Sequence, residues 1–185
     1  MTRLIYYTAC TLDGFLADPQ DSLDWLLRQP LDEGGPNDYD QFIAGIGAVV
    51  MGSTTYEWIL RHDPDGWAYV VPTWVMTSRA LPLPPGNPAP DVRFASGAVR
   101  PVYERMAEAA GDRDLWIVGG GDLVGQFADE GLLDEIITSI APVTLGAGRP
   151  LLPRRFDLEL IDVARNAAFI TARHRFVGPL REDAV

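Results

Sequence analysis

The stretch DLWIVGGGDLVGQF, residues 114–127, decides the fold. An apolar run enters three consecutive glycines, and an acidic residue then opens a helical pattern. Two readings stand open, a phosphate cradle and a structural strand-to-helix turn. Glycines let a backbone approach an anion, and the following helix offers unpaired N–H groups and the positive end of its dipole. The spacing is not that of the dinucleotide-binding G-x-G-x-x-G turn. Counted from Gly119, its last glycine would fall at Val124. That turn also belongs to a first βαβ unit, whereas this one comes late in the chain.

The rest of the chain repeats the same grammar. RLIYYTACTL (residues 3–12), IGAVVMG (46–52), WVMTS (74–78) and DLWIV (114–118) read as strands. Continuous apolar runs of this length fit parallel strands covered on both faces. Helical patterns at residues 39–46, 54–61, 98–110 and 122–130 alternate with them, which predicts an α/β sheet with crossover helices. Beyond LLDEIITSIAPV the pattern changes. FDLELIDVARNAAFITARHRF reads as two strands turning near Asn166, a C-terminal antiparallel hairpin on a mostly parallel sheet. The proline-dense residues 80–92 predict an exposed irregular loop, and PLDEGGPNDYD (30–40) a plain surface loop or a mobile lid.

Composition sets the bounds. At 185 residues the expectation is one domain over residues 1–185, with 47% hydrophobic and 22% charged residues, an ordinary globular balance. A net charge of −11 argues against nucleic acid and against anionic membrane surfaces as partners. The basic residues are all arginine, so Schiff-base chemistry and the P-loop lysine are excluded. Cys10 is the single cysteine and reads as a small buried group of the first strand. With no signal-peptide pattern and no apolar run of membrane-spanning length, the expected location is the cytoplasm. His62 and His174 have no ligand spacing to each other or to Cys10, and no metal site is expected.

Two further strand ends suit phosphate or ribose. In MGSTTYE, Thr54 and Glu57 have capping-box spacing, so a helix is expected directly after a strand. In MTSR, two hydroxyls and the Arg79 guanidinium close another strand. Each alone is explained by an ordinary cap or a solvated loop charge. Three anion-competent ends on the carboxyl edge of one parallel sheet point instead to an extended phosphorylated ligand such as a dinucleotide.

The order of motifs carries a resemblance. TLDGFLA, LDWL, VVMGSTTYE, VMTSR, WIVGGGDLVGQF and LDEIITSIAPVTLGAGRPLLP together resemble the dihydrofolate reductase-like superfamily. More narrowly, they are similar to stand-alone relatives of the riboflavin-pathway reductase domain, the C-terminal half of a bifunctional deaminase–reductase. The resemblance implies a three-layer α/β/α fold with NADPH across the carboxyl edge of a twisted, mostly parallel sheet. It implies that Ala9 contacts the nicotinamide amide and that Gly52, Ser53 and Thr54 sit at the pyrophosphate. It places Thr77, Ser78 and Arg79 at the adenosine ribose and its 2′-phosphate. Gly119, Gly120 and Gly121 would pass under the cofactor, with Asp122, Leu123 and Val124 opening the pyrophosphate-binding helix. On the substrate side it implies Asp38 as catalytic acid, Phe42 and Thr138 beside the substrate, and Trp25 at the mouth of the pocket.

The implied activity is reduction of 5-amino-6-(5-phosphoribosylamino)uracil. Dihydrofolate reduction and a non-catalytic nucleotide-binding module are the alternatives. The substrate half departs from both enzyme patterns: DWLLRQP stands where folate reductases carry Trp–x–x–Pro, and TTYEWILRHDPDGW where riboflavin-type reductases carry Asp–x–Pro–x–Leu. The apolar C-terminal strands, FITARHRF among them, suit pairing across a homodimer, and an ordinary hairpin covered by helices explains them equally.

Overall fold

A computed structural model describes residues 2–86 and 88–181. The chain opens with β1 (Leu4–Thr11), β2 (Phe15–Ala17), α1 (Asp24–Leu27) and α2 (Tyr39–Ala44). It continues through β3 (Ile46–Gly52), α3 (Ser53–His62), β4 (Thr73–Met76), β5 (Val92–Ala95) and α4 (Arg100–Ala110). β6 (Asp114–Gly119), α5 (Gly121–Asp129) and β7 (Glu135–Ala141) follow. The chain closes with β8 (Arg149–Pro150), β9 (Phe156–Asn166) and β10 (Phe169–Pro179).

Eight strands form one sheet in the order β5-β4-β3-β6-β1-β7-β10-β9. From β5 to β7 every pairing is parallel, and β10 runs antiparallel to both β7 and β9. This is the expected three-layer α/β/α arrangement with a C-terminal hairpin, and the turn falls at Ala167, φ 46°, directly after Asn166.

Burial follows from the alternation of side chains along each strand. Leu4, Tyr6, Ala48, Val50, Leu115 and Ile117 face one side, where α4 and α5 cover them with Val102, Met106, Val124 and Phe127. Val49, Met51, Val75 and Trp116 face the other side, beneath Tyr56 and Ile59 of α3 and Phe42 of α2. IGAVVMG is hidden along nearly its whole length because β4 and β6 flank it and helices cover both faces.

Several local expectations are corrected. The helix expected over 39–46 ends at Ala44, because Ile46 is already buried in β3. β5 was not expected; it pairs in parallel with β4 at the outer edge, directly after the irregular proline-dense stretch. α3 begins two residues earlier than the Thr54–Glu57 box requires, with Gly52 as N-cap and no side-chain cap. The 30–40 segment is no lid over the main cleft described below. The Asn166 side chain holds it at the β9–β10 turn, accepting from Asp32 N–H at 2.9 Å and donating to the Asp32 and Pro36 carbonyls at 3.2 Å. Cys10 is buried as expected, and burial pushes its thiol up to about 11.

Candidate active site

A cleft of about 780 Å³ runs along the carboxyl ends of β1, β3, β4 and β6. At β3 the chain leaves the sheet through Gly52 straight into α3, bringing Ser53, Thr54 and Thr55 to the wall. At β6 it leaves through Gly119 and Gly120 into α5, bringing Gly121, Asp122 and Leu123. Neither helix start carries a side-chain cap. The first bond of α5 is Val124 N–H to the Gly120 carbonyl at 3.2 Å, so the amides of Gly121, Asp122 and Leu123 precede the helical ladder. Two positive dipole ends therefore meet in one hollow.

The three glycines differ in what a side chain would meet. Gly119 has φ +154°, a conformation that side chains disfavour. A Cβ at Gly120 would meet nothing within 4 Å, and Gly120 lines the cleft. A Cβ at Gly121 would lie 2.4 Å from the Pro150 carbonyl oxygen and 2.5 Å from that of Leu151, so α5 packs there directly on backbone. The Gly119–Gly120 peptide is cis.

Aromatic rings also wall the cleft. Tyr7, Trp58, Tyr69 and Trp116 line it with Leu23 and Leu26. Tyr7 stands edge-on to Trp116 with centroids 6.1 Å apart, and Tyr69 does so at 5.6 Å. The Trp116 indole donates to the Tyr7 carbonyl at 3.0 Å, and the Tyr7 hydroxyl donates to the Asn37 carbonyl at 2.9 Å. Burial pushes the Tyr7 phenol up to about 12, so it stays neutral near pH 7. β2 and β8 pair as a small strap that lines the cleft through Leu16, Ala17, Arg149 and Pro150, and its Arg149 is bound to Asp21.

Of the positions expected to hold a cofactor, Ala9, Gly52, Ser53, Thr54, Gly119, Gly120, Gly121, Asp122 and Leu123 line this cleft together. Val124 is buried beneath it in the core. The β4 strand reaches the cleft through Met76, while Thr77, Ser78 and Arg79 lie just beyond its wall. Arg79 is held by both oxygens of Glu57, at 3.1 and 2.6 Å.

The substrate-side expectations fare differently. Asp38 is the N-cap of α2, accepting from Gln41 N–H at 3.0 Å and Gly34 N–H at 2.8 Å. It lines a second hollow of about 330 Å³ with Phe42, outside the main cleft. Those backbone amides hold its carboxyl below the ordinary carboxylate range, the wrong direction for a proton donor. Phe42 stacks on Tyr7 with centroids 4.2 Å apart and closes the wall from behind. Thr138 is buried in β7, paired between Thr8 and Ala172. Trp25 is buried against Ala141 and Phe169 instead of standing at the mouth.

Asp38→Asn is therefore expected to leave turnover unchanged. Its effect belongs to acid stability. A lowered folded-state pKa stabilises the protein above the unfolded value, about 4, and that contribution is lost as pH falls through the folded value. Urea midpoints from pH 6 downwards should converge for parent and variant only in acid. Loss of turnover with an unchanged midpoint would return Asp38 to the chemistry.

Known proteins share this architecture. Residues 72–166 match the RibD C-terminal domain family. The Bacillus subtilis strain 168 protein YwjB is 31% identical over 150 residues, spanning 80% of this chain and 82% of that one. A crystal structure from Shewanella sp. PV-4, described as a riboflavin biosynthesis protein, superposes with a TM-score of 0.80 at 26% identity, covering 95% of this chain and 99% of that one. The Thermotoga maritima diaminohydroxyphosphoribosylaminopyrimidine deaminase/5-amino-6-(5-phosphoribosylamino)uracil reductase shares the fold, with a TM-score of 0.66 at 16% identity. The match covers 95% of this chain but 57% of that longer protein.

Proposed function

The chain belongs to the RibD C-terminal domain family, and we propose that it is a reductase that uses NADPH. The observation that carries this reading is the meeting of two uncapped helix starts, α3 and α5, over the open face of Gly120. A pyrophosphate suits that place: it accepts from amides that precede the helical ladders, and no Cβ blocks its approach. Ser53, Thr54 and Thr55 add hydroxyls on the opposite wall. Ala9, in the carboxyl half of β1, offers backbone groups for an amide beyond the pyrophosphate.

A bound nicotinamide would supply the hydride. The protein's own residues bind, orient and exclude water. The aromatic wall of Tyr7, Trp58, Tyr69 and Trp116 suits the face of a planar heterocycle. The substrate we propose is 5-amino-6-(5-phosphoribosylamino)uracil, the compound named for the Thermotoga relative. Its reduction adds one hydride and one proton and opens the ribose to a ribityl chain. Dihydrofolate reduction loses support here, because the acid expected to assist it, Asp38, caps a helix outside the cleft.

Choice of NADPH over NADH rests on Arg79, which we propose exchanges Glu57 for the 2′-phosphate. Both partners of that pair are solvent-accessible, and such pairs are weak enough to exchange. The test is a fluorescence titration of both nucleotides. The parent should bind NADPH more tightly than NADH, and Arg79→Ala should lower NADPH affinity severalfold while leaving NADH affinity alone. An unchanged preference would remove Arg79 from the site. A parent that bound both nucleotides but turned over neither the uracil compound nor dihydrofolate would support the nucleotide-binding module instead.

A further inference from the structure

Arg149 is the sole cation among the described residues lining the cleft, and neither the cofactor reading nor the substrate-side expectations give it a role. It lies in β8, where Ala17 of β2 is its strand partner. Its position is fixed on both sides. Gly148 packs so closely on β2 that a Cβ there would meet the Ala17 carbonyl oxygen at 2.1 Å, and the Pro150 carbonyl rests against Gly121. The guanidinium donates to both oxygens of Asp21, from Nε at 2.5 Å and from Nη2 at 3.0 Å.

Asp21 is equally well placed. It has φ 61° in a tight loop whose turns are tied by Asp18, which accepts from Gln20 N–H at 2.8 Å and Ser22 N–H at 2.9 Å. Arg61 of α3 also acts on the Asp21 carboxylate, and Trp58, one turn earlier, lines the cleft. The Asp21 carboxylate, which lines the same cleft as Trp58, is thus under the influence of two arginines.

We propose that Arg149 receives the anionic oxygens of the substrate, and that the Asp21 carboxylate is their internal stand-in. The pair is open to solvent, with side-chain exposures of 57% for Arg149 and 27% for Asp21, and such pairs are held weakly. A phosphate monoester offers the same fork more charge and a matching bidentate geometry. Exchange of Asp21 for the phosphate would anchor the substrate's far end and leave its ring against Trp58 and Trp116. Substrates lacking an anion would leave the Asp21–Arg149 pair closed. This inference rests on the reductase reading for its site, and its test is separable from it.

The experiment is calorimetric titration of ribose 5-phosphate and of ribose, each with and without saturating NADP⁺. The parent should bind the sugar phosphate at least tenfold more tightly than ribose. Arg149→Ala should abolish that difference, and Asp21→Asn, which removes the competing charge, should strengthen sugar-phosphate binding severalfold. NADPH affinity should be unchanged in both variants. Sugar-phosphate binding that is absent from the parent, or insensitive to both substitutions, overturns the proposal. So does a loss of NADPH affinity in Arg149→Ala with sugar-phosphate binding intact, because the arginine then reads the cofactor. Failure of the parent to bind NADP⁺ would overturn the reductase reading alone, since the titration without nucleotide still reports on Arg149.

Discussion

Gly120→Ala is expected to fold like the parent and to bind NADPH about a hundredfold more weakly, a cost of ~3 kcal/mol at the upper end of overpacking effects. The backbone at Gly120 has φ −93° and ψ −179°, which alanine adopts without strain. Its Cβ would touch no protein atom within 4 Å, so the substitution gives the fold nothing to resist. The same open space is the floor of the cleft between the two helix starts. A methyl group there holds a ligand away from the α5 amides and lengthens every hydrogen bond to them. A melting curve and a fluorescence titration of the same sample read the two halves of the expectation. Unchanged NADPH affinity would mean that no ligand passes over Gly120.

Gly121→Ala should do the reverse, acting on stability first. Its Cβ would sit 2.4 and 2.5 Å from two backbone oxygens, of Pro150 and Leu151, and backbone cannot rotate aside as a side chain can. Either α5 or the 149–152 strap must shift, at a cost of about 1–3 kcal/mol. For a chain of this size that lowers the melting temperature by roughly 2–4 °C per kcal/mol. Calorimetry should record a clear drop for Gly121→Ala beside a negligible one for Gly120→Ala. Equal melting temperatures would contradict the packing described for these neighbouring glycines.

The contrast shows what could be read from GGG in the sequence. Its place after an apolar run made a strand-to-helix turn legible, because buried parallel strands announce themselves by continuous hydrophobicity. The sequence did not distinguish the glycine that meets protein from the one that meets open space. That difference depends on the Pro150–Leu151 backbone, brought against Gly121 by the closing strap. β5 escaped notice because VRFA is short, follows a run of prolines and keeps a charged residue exposed at the sheet edge.

The substrate end was the least legible part of the site. Tyr7 and Trp116 read as ordinary strand residues. Strand pairing of Ile5 with Trp116, and of Tyr6 with Ile117, is what brings them to one wall. Asp21 and Arg149 are 128 residues apart, and neither belongs to a motif that names a partner. Asp38 was legible as the start of a helix, and the structure gives it that role. A local pattern of an acid before an aromatic residue could not reveal that α2 packs behind the cleft instead of into it. Arg79 lies three residues beyond the end of β4 and pairs with Glu57, the residue that the expected capping box would have used.

A crystal structure of the protein with NADP⁺ is the most direct test. The pyrophosphate should lie between the starts of α3 and α5, within hydrogen-bonding distance of the Ser53–Thr55 and Asp122–Leu123 amides, with the nicotinamide reaching toward Ala9. A nucleotide bound with its pyrophosphate away from both helix starts would contradict it.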